Sequence, residues 1–429
     1  MSEGETRALA ADKRIWLDQE PLSRLLELLD ARGEEARVVG GAVRNALLGL
    51  PVGEIDIATT AVPDEVVRRA SKAGFNPVPT GIEHGTVTVV IGGKPFEVTT
   101  LREDIETFGR HAKVRFGRDW KKDALRRDFT INALFLARDG RVIDFVGGLE
   151  DIEARRVRFI GDPEARIRED YLRVLRFFRF HAAYGRGAPD AAGLAACIRA
   201  RGELAALSRE RVRAELLKLF VAERAVPALA VMGETGLVGS VLGGVPLLAS
   251  FANMMKAEHA LGLDADPIRR LAALAVFVVE DAERLRERLR LANAEFRRLH
   301  AMGDRWWQVS PGRGEQAARV LLYGLGAENF RDRALLALAR SQAKAGDQAW
   351  RELITLSARW TPAKFPLAAK DFLDRGIAKG PALGEALARA EAAWIAAGFP
   401  GERAALDSIA DEVAEKKPSP RLRGEGGER

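Results

Sequence analysis

Apolar positions recur at helical spacing in PLSRLLELLDA (21–31), which predicts an amphipathic helix there. ARVVGG runs as a short strand into Gly40 and Gly41, and AVRNALLG then reads as a helix closed by Gly49. GEIDIATT (53–60) is rich in β-branched residues and predicts the next strand. VPDEVVRRASKAG places Pro63 near a helix start and Gly74 at its end. TVTVVI and PFEVTT flank Gly92, Gly93 and Lys94 as a hairpin, and INALFLA and RVIDFV flank Asp139 and Gly140 as another. A polar stretch, about 102–122, interrupts these strands.

The first 150 residues therefore predict a mixed α/β unit. After residue 151 Ala, Leu and Arg dominate at helical spacing, and turn signals fall near 185–190, 234–246, 310–313, 324–327 and 376–383. The expected layout is a flexible N-terminus over 1–20, an α/β head over 21–150, a helical neck over 151–235, and a helical body and tail over 236–414. Residues 415–429 contain too little apolar side chain to pack and read as disordered.

Composition narrows the classes. Hydrophobic residues make up 47% of the chain and charged residues 30%, an ordinary soluble balance. No run approaches the ~18 apolar residues of a membrane span, and MSEGETRALAADKR lacks the apolar core of a secretory signal. Cys197 is the only cysteine, which excludes an intrachain disulfide and cysteine-based zinc sites and suits a reducing cytoplasm. The net charge of +6 favours an anionic partner. Oligomeric state is not legible.

Chemistry enters at GEIDIATT. Alternate residues of a strand share a face, so Glu54 and Asp56 are expected side by side, where they repel unless a cation lies between them. Paired carboxylates can hold divalent metals about 3.5–4 Å apart, and oxygen ligands suit magnesium. About a dozen residues upstream, Gly40 and Gly41 open a helix whose free N–H groups attract phosphate, with Arg44 one turn in. Glu97 and Asp128 are both candidates for a third carboxylate.

VVGGAVRNALLGLPVGEIDIATTAVP resembles the signature of class II CCA-adding tRNA nucleotidyltransferases and bacterial poly(A) polymerases. TGIEHGTVTVV, FEVTTLRED, DALRRDFTINAL, REDYLRVLRFFRF and LSRERVRAELLKLF follow in family order, so the resemblance is continuous over roughly residues 35 to 220. It implies a nucleotidyltransferase palm followed by helical neck, body and tail domains. It also implies Mg2+-dependent addition of CMP, CMP and AMP to a tRNA 3′ end from CTP and ATP. Glu54 and Asp56 match the metal-binding carboxylates, with Glu54 standing where the family more often has Asp. Gly41 and Arg44 match the triphosphate turn, and Arg127 a contact to nucleotide sugar or phosphates.

Selection has a physical basis. Cytosine and adenine both present an amino donor beside a ring acceptor, and a carboxylate next to a guanidinium is the complement. Asp170 and Arg173, three apart in REDYLRVLRFFRF, are expected one helical turn apart, and the resemblance makes them the base readers. Arg176 is expected near the nucleotide and Arg179 in a supporting role, while Leu172, Leu175 and Phe178 pack the neck. The basic segment 109–123, with Phe116 and Trp120, resembles the flexible loop with which full CCA-adding members switch from C to A. Trp306 and Trp307 beside arginines could stack on RNA, but their expected place is buried helix packing. The rival readings are an A-only poly(A) polymerase and an RNA-binding protein with an inactive palm.

Overall fold

The computed structural model describes residues 4–108 and 111–415. The tail expected to be disordered lies outside them apart from Glu415, which ends a helix. Ten strands are found among the described residues: β1 Glu5–Ala8, β2 Ala36–Val39, β3 Asp56–Thr59, β4 Asn76–Gly81, β5 Thr86–Ile91, β6 Lys94–Thr100, β7 Arg102–Phe108, β8 His111–Phe116, β9 Phe135–Leu136 and β10 Arg141–Asp144. Eight form one sheet in the order β1-β10-β9-β2-β3-β6-β5-β4. β3 and β6 are parallel, and the other neighbours are antiparallel.

Helices α1 Leu22–Leu29, α2 Gly41–Leu48, α3 Pro63–Lys72, α4 Trp120–Leu125 and α5 Gly148–Glu153 complete the head. Their ends follow local chemistry. Gly49 closes α2 in the left-handed region, Pro63 opens α3, and the Asp119 carboxylate caps the N–H groups of Lys121 and Lys122 in α4. Register carries one face across the sheet: Ile143 pairs with Phe135, Phe135 with Val39, Val39 with Asp56, and Asp56 with Glu97. Ile143, Phe135 and Val39 join Trp120 in a buried cluster. The row thus leaves the core at Asp56, where the functional face begins.

Several expectations need correction. The N-terminal 20 residues are not simply flexible, because β1 pairs with β10 and buries Leu9 beyond it. All four residues of β1 are exposed, so no apolar alternation announced it. INALFLA is mostly not strand: Thr130–Asn132 is a 3₁₀ turn and β9 has two residues. The polar stretch after residue 101 contains β7 and β8, paired only with each other. Hydrogen bonds between two backbones leave no sequence signature. Trp120, assigned to that loop, is buried edge-on against Phe135 at 5.1 Å.

Helices α6 Pro163–Glu169, α7 Leu172–Tyr184, α8 Ala191–Arg199 and α9 Arg209–Phe220 follow, with α7 packed on α9. Leu172, Leu175 and Phe178 are buried as expected. The chain does not divide at residue 235. One compact unit runs through Phe251 and takes in Ala265–Ala275 and Asp281–Phe296. Phe251 belongs there because it is fully buried edge-on to Phe220, at 6.0 Å. The second unit holds Ala252–Asp264, Val276–Glu280 and the chain from Arg297 onward. It is helical, with a core around Phe372, Trp394 and Leu406, and its long helix Gly314–Arg340 breaks at Gly326 within the expected turn. Among the described residues no helix is long and apolar enough to cross a membrane.

Candidate active site

A cleft of about 540 Å³ opens in the first unit, lined among others by Gly40, Gly41, Arg44, Glu54, Asp56, Arg127, Asp128, Asp170, Arg173 and Arg176. Ten sequence-selected residues therefore converge. Arg179 and Glu97 are not among the lining residues.

The turn comes first. Gly40 has φ 77° and ψ −125°, a conformation essentially closed to residues with a Cβ. Its own N–H donates to the Leu134 carbonyl at 3.2 Å, and its carbonyl accepts from Arg44 N–H at 3.1 Å. A Cβ placed there would lie 4.0 Å from Asp56 Oδ2 and 3.9 Å from Arg127 Nη1. The turn thus sits directly against the carboxylate and the cation that follow. Arg44 is buried and donates to Asn132 Oδ1 at 2.5 Å and to the Tyr184 hydroxyl at 2.7 Å. Burial pulls its guanidinium down to about 10, still charged at neutral pH.

The carboxylates depart from the expected arrangement. β3 starts at Asp56, so Glu54 lies in the lead-in to the strand rather than on it. The two still meet in the cleft, through a bend instead of strand alternation. Asp56 is accessible as a residue, yet its carboxylate is hemmed in by protein. That desolvation pushes its pKa up, helped by the charges of Glu97 and Glu54 and opposed by Arg127. A carboxylate whose charge is disfavoured by burial and by acidic neighbours fits a hard divalent cation. Among the described residues no three acidic, His or Cys side chains form a complete metal cluster. Such a cation keeps part of its shell for substrate phosphates and water, so an incomplete protein set is suitable.

The two candidates for a third carboxylate separate clearly. Glu97 is the parallel partner of Asp56 and acts on its charge. Asp128 is engaged elsewhere: it accepts from Arg176 at 2.5 Å, from Asn132 Nδ2 at 3.1 Å and from its neighbour's N–H at 2.8 Å. Burial opposes its charge, but Arg176 and these hydrogen bonds outweigh burial and hold its carboxyl below the usual range. Its acceptor capacity is spent on the protein, which favours Glu97.

Arg127 is held by Asp123, whose carboxylate also takes Arg126, at 3.0 and 2.7 Å. Asp123 is almost fully buried, yet the two guanidiniums overcome burial and depress its pKa.

Asp170 and Arg173 do not form an i,i+3 pair on one helix. Asp170 is extended (φ −156°, ψ 106°) between α6 and α7. One of its oxygens accepts the Leu172 N–H at 3.2 Å, and the other pairs with Arg211 of α9 at 2.5 Å. Arg173 pairs with Glu169 and donates to the Arg166 carbonyl at 2.8 Å. Asp170 and Arg173 both line the cleft, each held by its own partner. Arg179 pairs with Glu215 at 2.5 Å and is not among the residues that line the cleft.

Sequence reasoning missed Asn132, Tyr184 and Arg211. Asn132 lies four residues after Asp128 in RRDFTIN, and that spacing could have found it. Nothing local marks Tyr184 as the partner of Arg44, 140 residues away.

A mixed sheet carrying carboxylates beside a glycine turn, followed by a helical neck, is the architecture of a nucleotidyltransferase head. Residues 36–158 match the family described as Poly A polymerase head domain, and residues 190–250 the one described as Probable RNA and SrmB- binding site of polymerase A. The chain is 39% identical over 283 residues to the CCA tRNA nucleotidyltransferase 1, mitochondrial, of Homo sapiens; the match spans 64% of this chain and 64% of that relative. It is 43% identical over 216 residues to the CCA-adding enzyme of Geobacillus thermodenitrificans, 50% of this chain and 52% of the relative. The chain thus matches less than two thirds of the length of these curated relatives. The crystal structure of the Bacillus stearothermophilus CCA-adding enzyme in complex with CTP aligns over 92% of this chain and 98% of that one, with a TM-score of 0.74 and 29% identity. The head and the helical region that follows it are thus similar to class II CCA-adding tRNA nucleotidyltransferases and bacterial poly(A) polymerases.

Proposed function

We propose that this protein adds C, C and A to the 3′ end of tRNA, without a nucleic-acid template, from CTP and ATP. The observation that carries the reading is the convergence of the Gly40–Gly41 turn, Glu54, Asp56, Asp170 and Arg173 on one cleft. The names of the curated relatives support it. The 3′ hydroxyl oxygen attacks the α-phosphorus, the bond to the bridging oxygen breaks, and pyrophosphate leaves.

The chain's residues divide the work. N–H groups at the start of α2 and the Arg44 and Arg127 guanidiniums receive the triphosphate. Asp170 accepts the exocyclic amino proton of cytosine or adenine, and Arg173 donates to the neighbouring ring nitrogen. Uracil and guanine reverse that order and leave both groups unpaired, at roughly 1–3 kcal/mol each. Arg176, fixed by Asp128, adds positive charge to the cleft wall. Magnesium, which Glu54 and Asp56 with Glu97 would hold, lowers the pKa of the attacking hydroxyl and offsets charge on the phosphates when bound. No dedicated protein base is required. Cys197, buried with its thiol pushed up in pKa by desolvation, suits a reducing compartment such as the cytoplasm.

The test is incorporation of labelled CTP and ATP into tRNA lacking its 3′ CCA, with and without magnesium. Metal-dependent incorporation that stops after three nucleotides supports the reading. No incorporation, with tRNA still bound, would leave an RNA-binding protein with an inactive palm.

A further inference from the structure

The second unit groups three aromatic rings, two of them half exposed. Phe277 is 50% exposed and Trp307 51% exposed. They flank Trp306: Phe277 and Trp306 meet edge to face at 5.3 Å, and Trp306 and Trp307 at 5.9 Å. Exposed rings on a loose loop would mean little, but this backbone is pinned. The Trp306 indole N–H donates to the Phe277 carbonyl at 2.9 Å, and Arg340 donates to the Val276 carbonyl. Gly303 lets the segment approach, since a Cβ there would stand 2.9 Å from the Val278 carbonyl oxygen. Rigid half-exposed aromatics grouped together mark a binding surface more than a packing remainder.

Charge selects the occupant. The Arg340 guanidinium lies over Phe277 and Trp306, at 5.3 and 4.7 Å. Arg305, two residues before Trp307 and in the left-handed region at φ 49°, has a side chain 63% open to water, its Nε paired with Asp304 at 3.1 Å. Aromatic faces edged by arginine suit an unpaired nucleobase with its phosphate, since every base has a stacking face and every linkage a negative charge. An apolar protein partner would gain nothing from those cations.

We infer that Phe277, Trp306 and Trp307 form a shelf on which an unpaired base of the RNA substrate stacks, remote in sequence from the catalytic residues. This rests on the tRNA-extending reading above. The shelf acts on RNA affinity and leaves the nucleotide site untouched.

The experiment uses the full chain and a tRNA lacking its 3′ CCA. The Kd for this tRNA is measured by filter binding, and the KM for CTP separately. Trp307→Ala and Phe277→Ala each raise the tRNA Kd at least about fivefold, the size of one lost stacking contact. Trp307→Phe retains most of the affinity, and the KM for CTP holds in all three. An unchanged tRNA Kd in both alanine variants overturns the shelf, and so does a change of sedimentation without one, which would assign the rings to a second copy of the chain. If the wild type binds tRNA through these rings but incorporates no CTP, the shelf stands and the enzymatic reading fails alone.

Discussion

Replacing Gly40 with Ala separates backbone geometry from space. The added methyl would meet only the Asn132 carbonyl oxygen at 3.7 Å, Arg127 Nη1 at 3.9 Å and Asp56 Oδ2 at 4.0 Å, all ordinary contacts. The penalty is therefore conformational, because φ 77° with ψ −125° is open to glycine alone. Residues forced into such regions cost about 1–3 kcal/mol. The same energy is about a five- to 150-fold bias toward relaxing the turn. Relaxation re-aims the N–H groups at the start of α2 and disturbs Asp56. Gly49→Ala is the control: its φ of 69° is also positive, its surroundings are empty within 4 Å, and it lies at the far end of α2. Both variants should lose stability in urea unfolding, the control by about 1–2 kcal/mol. Only Gly40→Ala should lose nucleotide incorporation, as a raised KM for CTP and ATP or a lower kcat. A Gly40→Ala protein as stable as the wild type with unchanged incorporation would refute the reasoning.

Other outcomes follow from the same geometry. Asp56→Asn should abolish incorporation while tRNA binding, measured by filter retention, persists. Glu97→Gln should raise the magnesium concentration for half-maximal activity, whereas Asp128→Asn should chiefly destabilise. The Asp128 loss is on the order of 2 kcal/mol, below the ~3–5 of a fully buried pair because the Arg176 side chain is 31% exposed. Asp170→Ala should relax the preference for C and A over U and G roughly tenfold or more, read by single-nucleotide incorporation; an unchanged preference would remove Asp170 from base choice. Asp123 has a depressed folded pKa, so its stabilisation is present above the unfolded value and lost as pH falls through the folded one. Asp123→Asn should therefore be less stable than the wild type at neutral pH, and urea midpoints should converge on acidification below the ordinary carboxylate range.

The sequence carried its information unevenly. Elements with apolar periodicity or glycine punctuation were legible: α1, α2, α3 and the β5–β6 hairpin stand where patterning put them. β1 and β7–β8 were not, because pairing between backbones leaves a polar segment polar. The glycine turn and the acidic pair were legible as chemistry, and most selected residues line one cleft. Their mutual geometry was not. Spacing suggested that Asp170 and Arg173 share a helix, but the chain breaks at Asp170, whose carboxylate is oriented by the Leu172 N–H and by Arg211, 41 residues on. Similarly, only the fold could show that Asp128 belongs to Arg176 and that Glu97 faces Asp56, since parallel pairing of β3 with β6 is a property of topology. Long-range partners set the site, and local spacing does not encode them.

The central claim is that one cleft adds C, C and A in order and then stops. It is tested most directly by sequencing the 3′ ends of a CCA-less tRNA after incubation with the purified protein, magnesium and all four nucleotides. Ends that read CCA and stop are the predicted result. Tracts of A on this and unrelated RNAs would contradict the claim in favour of a poly(A) polymerase, and ends at CC, or A added only to tRNA already ending in CC, would contradict complete addition.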